Sequence, residues 1–121
     1  MNISVLASGS RGNCTLIHDD NNAVLIDMGI STRKLKQALA QLHLNIEDLD
    51  AIFITHEHID HIAGLGVIAR RYGIPMYATG ETVDAILHTK TVGKIDEALF
   101  QVIESEREFT IGDLTIEPVS I

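Results

Sequence analysis

Seven consecutive residues near the middle of the chain carry many side chains of the kind that bind metals. The stretch THEHIDH, residues 55–61, contains three histidines and two acidic residues: His56, His58, His61, Glu57 and Asp60. Imidazole nitrogens and carboxylate oxygens are common protein ligands of zinc and related divalent ions. The stretch therefore indicates a metal centre.

The spacing divides these side chains between two ions. Side chains two positions apart on extended backbone point the same way, so His56 and His58 face one ion and Glu57 points elsewhere. A helix that begins after His58 directs Asp60 and His61 toward the same site from the other side. These two side chains are the predicted ligands of a second ion. Two adjacent ions with a bridging hydroxide as nucleophile form a hydrolytic arrangement. Asp60 is its predicted catalytic carboxylate.

Other interpretations of the histidines are weaker. The H-E-x-x-H pattern of metalloprotease helices requires a histidine at position 60, where this chain has Asp60. A surface loop that carries these side chains by chance is disfavoured, because the cluster lies between an apolar strand-like run and a helix. The remaining histidines are interpreted as solvated or capping side chains: His18, His43 and His88.

Short strands and helices alternate around the cluster. An antiparallel meander is predicted for three β-rich runs, residues 3–7, 14–18 and 23–27. Further along, we predict a helix capped by Ser31 and running to about Leu42, a strand over 51–55 and a helix over 62–73 with Gly73 as its C-cap. A strand over 74–79, a helix over 81–89 and a weak helical turn over 94–100 follow. The last predicted element is a hairpin over 109–121 that turns at Gly112 and Asp113. These elements predict an α+β layered fold, with helices on one face of a mixed, mostly antiparallel sheet.

Composition limits the class of protein. A chain of 121 residues with 45% hydrophobic content buries one modest core, so residues 1–121 are predicted to form a single domain or part of one. No apolar run long enough for a membrane span and no signal peptide is evident, which favours a cytoplasmic protein. Cys14 is the single cysteine and is predicted to be a small buried residue. The net charge of −8 argues against nucleic-acid binding by charge alone, although bound metal ions reverse the sign locally.

Three segments resemble a known family. HEHIDH resembles the H-x-H-x-D-H signature of the metallo-β-lactamase fold hydrolases, and VLIDMG resembles the first motif of that superfamily. The opening LASGSRGNC is similar to the start of the YycJ/WalJ-like subgroup. The resemblance implies an αββα sandwich, a dinuclear metal centre and hydrolysis of esters, lactams, thioesters or phosphodiesters. For the subgroup it implies exonuclease action on DNA.

The resemblance also implies residue roles. His56 and His58 would bind the first metal, and Asp60 and His61 the second. Asp27 would support the site by bonding to the cluster loop. The ions are expected to be zinc, with manganese or iron as alternatives, because His/Asp sites accept all three.

The family pattern contains a third histidine, a bridging aspartate and a last histidine for which this sequence offers no counterpart. Together with an apolar strand ending at Ile121, this leads us to expect the N-terminal half of a longer metallo-β-lactamase domain, with strand edges able to form a homo-oligomer. Three functions stay open: a phosphodiesterase of the DNA exonuclease type, a hydrolase of small thioesters, lactones or lactams, and a non-catalytic metal-binding module.

In the complete protein, Asp60→Asn is expected to abolish turnover of a model phosphodiester, because Asp60 is the carboxylate of the cluster predicted to contact metal. Glu57→Gln is expected to be nearly silent, since Glu57 alternates to the opposite face. Initial rates of the two variants check this. Equal losses would refute the alternation argument.

Overall fold

A computed structural model describes residues 1–119 of the chain. Its eight strands are β1 Asn2–Ala7, β2 Cys14–His18, β3 Ala23–Ile26, β4 Ala51–Phe53, β5 Met76–Thr79, β6 Phe100–Ile103, β7 Phe109–Ile111 and β8 Leu114–Ile116. Its four α-helices are α1 Thr32–Gln41, α2 Ile59–Ile62, α3 Leu65–Tyr72 and α4 Gly80–Leu87. Short 3₁₀ turns lie at Ile46–Asp48, Lys90–Val92 and Glu97–Leu99. No helix in this described part is long and apolar enough to cross a membrane.

Six strands form one sheet in the order of the sequence, β1 to β6. The predicted antiparallel meander of β1, β2 and β3 is confirmed. The prediction of a mostly antiparallel sheet is wrong, because β3, β4, β5 and β6 pair in parallel. The segments between these strands contain helices, and a helical crossover returns the chain so that the next strand runs in the same direction.

Several local predictions are confirmed. Ser31 caps α1, where its hydroxyl accepts a hydrogen bond from the Lys34 N–H at 3.2 Å. Gly73 ends α3 in the left-handed conformation, with φ of 62°. The hairpin of β7 and β8 pairs Ile111 with Leu114 across the predicted turn. Ile121, on which the open-edge prediction relied, lies outside the described residues.

The single helix predicted over residues 62–73 is wrong, because two helices, α2 and α3, lie here and are separated at Ala63 and Gly64. The first begins at Ile59, directly after His58, as the spacing of the cluster predicts. In a continuous helix the Asp60 carbonyl would accept from the Gly64 N–H, but here it accepts from the Asn13 N–H at 2.7 Å. The Gly64 N–H donates instead to the Met28 carbonyl at 2.9 Å. Neighbouring loops therefore take the hydrogen bonds that would have continued the helix.

The helical turn predicted over residues 94–100 is shorter than expected. Only Glu97–Leu99 forms a 3₁₀ turn, and the chain then enters β6, which pairs in parallel with β5. The sequence FQVI is rich in residues that favour strands. Pairing with β5 thus decides the conformation of a segment whose local pattern was ambiguous.

The two faces of the sheet are covered differently. Alternate residues of β3 and β4, such as Leu25 and Ile52, belong to the core shared with the helices. Val24 and Phe53 face the other way and pack with Leu114 of the β7–β8 hairpin. This alternation is the period of two expected of a strand buried on both faces. The predicted placement of helices on one face of the sheet is therefore confirmed.

Cys14 lies in β2 with no solvent exposure, as predicted. Burial, and secondly the negative charge of Asp27, raise the pKa of its thiol from 9.0 to about 12. A raised pKa in the folded state means that its contribution to stability is fully present below pH 9 and is lost as the pH rises toward 12.

The folded protein is therefore expected to lose roughly 1 kcal/mol through Cys14 between pH 8 and pH 10. Cys14→Ala lacks this titration, so the stability difference between the protein and the variant should shrink by that amount over the interval. Urea unfolding of both under reducing conditions at the two pH values measures it. A stability difference independent of pH would contradict the prediction.

Candidate metal centre

The cluster THEHIDH and Asp27 meet at one edge of the sheet. Asp27 directly follows β3, and residues 55–61 follow β4 after one further buried residue, Ile54. Because β3 and β4 are parallel and paired in register, their carboxyl ends lie side by side. This edge of a parallel sheet is where ligand sites of α/β proteins commonly form.

Asp27 connects the two strand ends. One carboxylate oxygen, Oδ1, accepts the Thr55 N–H at 2.7 Å, and the other, Oδ2, accepts the Thr55 hydroxyl at 2.6 Å. The same Oδ2 lies 2.6 Å from Nδ1 of His61. Asp27 adopts a left-handed backbone conformation, φ of 66°, which aspartate tolerates better than most residues. Its buried carboxylate thus holds both the start of the cluster and its last histidine.

The contact with Asp27 determines which nitrogen of His61 is free. A carboxylate accepts only from a protonated nitrogen, so Nδ1 carries a proton and Nε2 is the nitrogen left to bind an ion. Nε2 lies 3.5 Å from Oδ2 of Asp60. Two ligands at about 2.0–2.1 Å from one tetrahedral zinc lie roughly 3.4 Å from each other. The spacing of Asp60 and His61 therefore fits two ligands of a single ion.

The other two histidines lie beside this pair. The rings of His56 and His58 are 5.8 Å apart between centroids and nearly perpendicular, at 74°. The rings of His56 and His61 are 5.2 Å apart and stacked at 20°. The structure therefore brings the three histidines together. Within residues 1–119, however, no three His, Cys, Asp or Glu side chains converge closely enough to enclose an ion.

Main-chain contacts hold the cluster from behind. The Met28 N–H donates to the His61 carbonyl at 2.9 Å. Gly29 follows, and a Cβ atom at this position would lie 1.8 Å from the Asp60 carbonyl oxygen. Only glycine permits this approach of two backbone segments. The loop after β3 therefore packs directly on the first turn of α2.

The remaining histidines lie away from the cluster. His18 ends β2, and His43 follows α1. His88 ends α4, where its Nδ1 lies 2.7 Å from the Asp84 carbonyl oxygen. Cys14 is buried, and its raised pKa keeps it a neutral thiol rather than a thiolate ligand.

Two residues at the site were not identified from the sequence. Thr55 directly precedes the first histidine, and its position there was the one available signal. Asn13 enters the sequence analysis only as part of the opening LASGSRGNC, yet its Nδ2 donates to Oδ2 of Asp60 at 3.1 Å. Nothing local in the sequence relates Asn13 to Asp60, because their contact depends on how two distant loops fold together.

Comparison with known proteins agrees with this geometry. The sequence profile described as Metallo-beta-lactamase superfamily matches residues 7–119. Exodeoxyribonuclease WalJ of Streptococcus pneumoniae is 42% identical over 118 residues, which cover 98% of this chain and 44% of that protein. Exodeoxyribonuclease YycJ of Bacillus anthracis is 39% identical over 124 residues, covering 100% of this chain and 45% of that protein. The solved structure of a B3 metallo-β-lactamase with an active-site glutamic acid has a TM-score of 0.76 at 20% identity, covering 94% of this chain and 47% of that chain.

The chain belongs to the metallo-β-lactamase superfamily. The predicted resemblance and the layered fold class are thereby confirmed, and the solved structure supports the fold alone. The chain spans less than half the length of either relative. The family generally binds divalent metals, to which the paired Asp60 and His61 side chains are suited.

Gly29→Ala is expected to lower the free energy of unfolding by about 2–3 kcal/mol, because the added methyl group overlaps the Asp60 carbonyl. Gly80→Ala is the control: the nearest atom to its Cβ is 3.7 Å away, so the change should be neutral or slightly stabilising. Urea unfolding measures both. Equal effects of the two substitutions would contradict the close packing at Gly29.

Proposed function

We propose that this chain forms the metal-binding half of a metal-dependent hydrolase that cleaves phosphodiester bonds, specifically a DNA exonuclease. The main support is that Asp27 is hydrogen-bonded to His61, whose other ring nitrogen lies 3.5 Å from Asp60, in a chain similar over nearly its whole length to two exodeoxyribonucleases. The share of each relative that the chain covers supports its assignment as part of a longer domain.

In this proposal two divalent ions share the four ligands of the cluster. His56 and His58 hold the first ion, and Asp60 and His61 hold the second. The ions supply a hydroxide nucleophile at neutral pH and stabilise the charge that develops on the phosphoryl oxygens. Imidazole and carboxylate donors suit zinc, manganese or iron.

The other residues of the site orient these ligands. Asp27 keeps the proton of His61 on Nδ1, so that Nε2 is available to the ion. Its two bonds to Thr55 fix the point where the chain leaves β4 for the histidines. These hydrogen bonds lie within this chain and restrain the side chains, so less side-chain freedom is lost on metal binding.

DNA as the substrate must be reconciled with a net charge of −8. A surface of this charge repels a polyanion over long range, so the attraction must come from the ions themselves. Arg11, exposed in the loop that precedes Asn13, is proposed to pair with a substrate phosphate. Binding should therefore depend on metal more strongly than on a basic surface.

The rest of the longer domain is proposed to contribute the missing ligands. Two zinc ions carry four positive charges, which Asp60 and a hydroxide neutralise only in part. The segment of residues 1–121 alone is therefore expected to bind metal weakly and not to catalyse. Its location in the cytoplasm and its association through strand edges stay predictions, the second of which light scattering can test.

His58→Ala in the complete protein is expected to remove about one metal ion per chain and to lower DNA cleavage at least 100-fold, because one of the two ions loses a ligand. His88→Ala is the matched control, since His88 is exposed and lies outside the cluster. Elemental analysis, circular dichroism and hydrolysis of end-labelled DNA with added zinc or manganese are the measurements.

Two outcomes would count against the proposal. Unchanged metal content in His58→Ala would remove that residue from the ligands. Turnover of thioester, lactone or lactam substrates without cleavage of DNA would favour the small-molecule hydrolase, and metal binding without turnover of any of these substrates would favour a non-catalytic module.

A further inference from the structure

We propose that Asn13 is a positioning residue for Asp60, whose carboxylate it holds in the orientation that faces His61. The inference rests on the proposed function only in its consequence for metal binding, since the hydrogen bonds themselves lie within this chain. It assigns a specific task to the loop SGSRGN within the opening segment LASGSRGNC.

Asn13 connects three segments of the site. Its main-chain N–H donates to the Asp60 carbonyl at 2.7 Å, and its own carbonyl accepts the Gly29 N–H at 2.9 Å. Its side-chain Nδ2 donates to Oδ2 of Asp60 at 3.1 Å and lies 3.2 Å from the Asp60 carbonyl oxygen. The residue therefore contacts both the main chain and the side chain of the same metal-ligand candidate.

The hydrogen bonds with Gly9 determine which way the amide of Asn13 points. Its Oδ1 accepts the Gly9 N–H at 3.1 Å, and its Nδ2 donates to the Gly9 carbonyl at 2.9 Å. A flipped amide would place an oxygen against the two oxygens of Asp60 and the NH₂ group against the Gly9 N–H. The network therefore assigns the donor to the side that faces Asp60.

The amide of Asn13 has fewer protons than neighbouring acceptors, and the acceptor that depends on it is the Asp60 carboxylate. Nδ2 has two protons and three acceptors within hydrogen-bond distance. The Asp60 carbonyl already accepts the main-chain N–H of Asn13 at the shorter distance of 2.7 Å. The Asp60 carboxylate has no such main-chain donor among its described contacts, so it relies on the amide.

The position of Asp60 explains why such a partner matters. Its side chain is 28% exposed, so water competes for the carboxylate and the free side chain can rotate. Oδ2 lies between Nδ2 of Asn13 at 3.1 Å and Nε2 of His61 at 3.5 Å. Because the amide is neutral, it orients the carboxylate without cancelling the negative charge that a cation requires. A lysine or arginine in its place would compete with the ion.

The loop has the backbone conformation that this arrangement needs. The Gly12 N–H donates to the Gly9 carbonyl at 3.2 Å, and Gly12 has a φ of 148°. A Cβ atom at Gly12 would lie 2.5 Å from the Gly29 carbonyl oxygen. The loop is therefore packed against the segment after β3, and Asn13 at its end is held at a fixed place beside α2.

Asn13→Ala in the complete protein is expected to weaken the binding of one of two cobalt ions about 10–100-fold and to leave the other unchanged. The affected ion should be the one that His58→Ala retains, and its visible absorption should change because the orientation of a ligand changes. Asn21→Ala is the control, since Asn21 is an exposed asparagine in the turn before β3. Competition with a chelator and visible spectroscopy are the measurements.

The unfolding of the metal-free variants is measured in parallel. Equal weakening of both ions together with a lower stability would show a general structural role and overturn the proposal, as would unchanged affinity for both ions. Should Asn13→Ala not fold, Asn13→Ser is used, because its hydroxyl is too short to replace the amide. If the unmodified protein binds no metal at all, the proposed function fails instead, and the hydrogen bonds of Asn13 are then purely structural.

Discussion

The buried carboxylate of Asp27 is the interaction on which the site depends. A buried charge is costly unless its oxygens are satisfied, and both oxygens of Asp27 have partners, two from Thr55 and one from His61. These bonds join the end of β3 to the loop after β4. They also orient His61, whose other ring nitrogen lies 3.5 Å from Asp60. A single residue therefore couples the parallel sheet to the chemistry of the cluster.

The cluster is rigid because backbone packs on backbone behind it. The carbonyls of Asp60 and His61 accept from Asn13 and Met28, which belong to two other loops. These hydrogen bonds interrupt the helix after Ile62. The single turn of α2 is therefore positioned by the loops of the site and not by continuation into α3. Short segments of this kind gain their conformation from tertiary contacts, since a single helical turn is unstable alone. The main-chain positions from which the side chains of Asp60 and His61 extend are therefore held in place.

The two faces of the sheet have different tasks in this architecture. The helices bury one face and build the main core, whereas the β7–β8 hairpin covers the middle of the other face through Leu114. Ile3 and Val5 of β1, which lie on the same side of the sheet as the hairpin, stay well exposed in the described structure. Apolar side chains beside a covered strip fit the αββα sandwich that the family resemblance implies, in which a second layer packs on this face.

The sequence by itself determined the ligand types and their spacing, because THEHIDH and its place after an apolar strand are local features. It also determined the first three strands, the Ser31 cap and the Gly73 end of α3, which depend on local propensity and turn chemistry. Tertiary structure alone decided the parallel pairing of β3 to β6, the strand at Phe100–Ile103 and the interruption after α2. It also decided the contact of Asn13 with Asp60, which lie 47 positions apart. These features depend on hydrogen-bond partners supplied by distant segments, and a local pattern of residues does not specify which partner a backbone group will find.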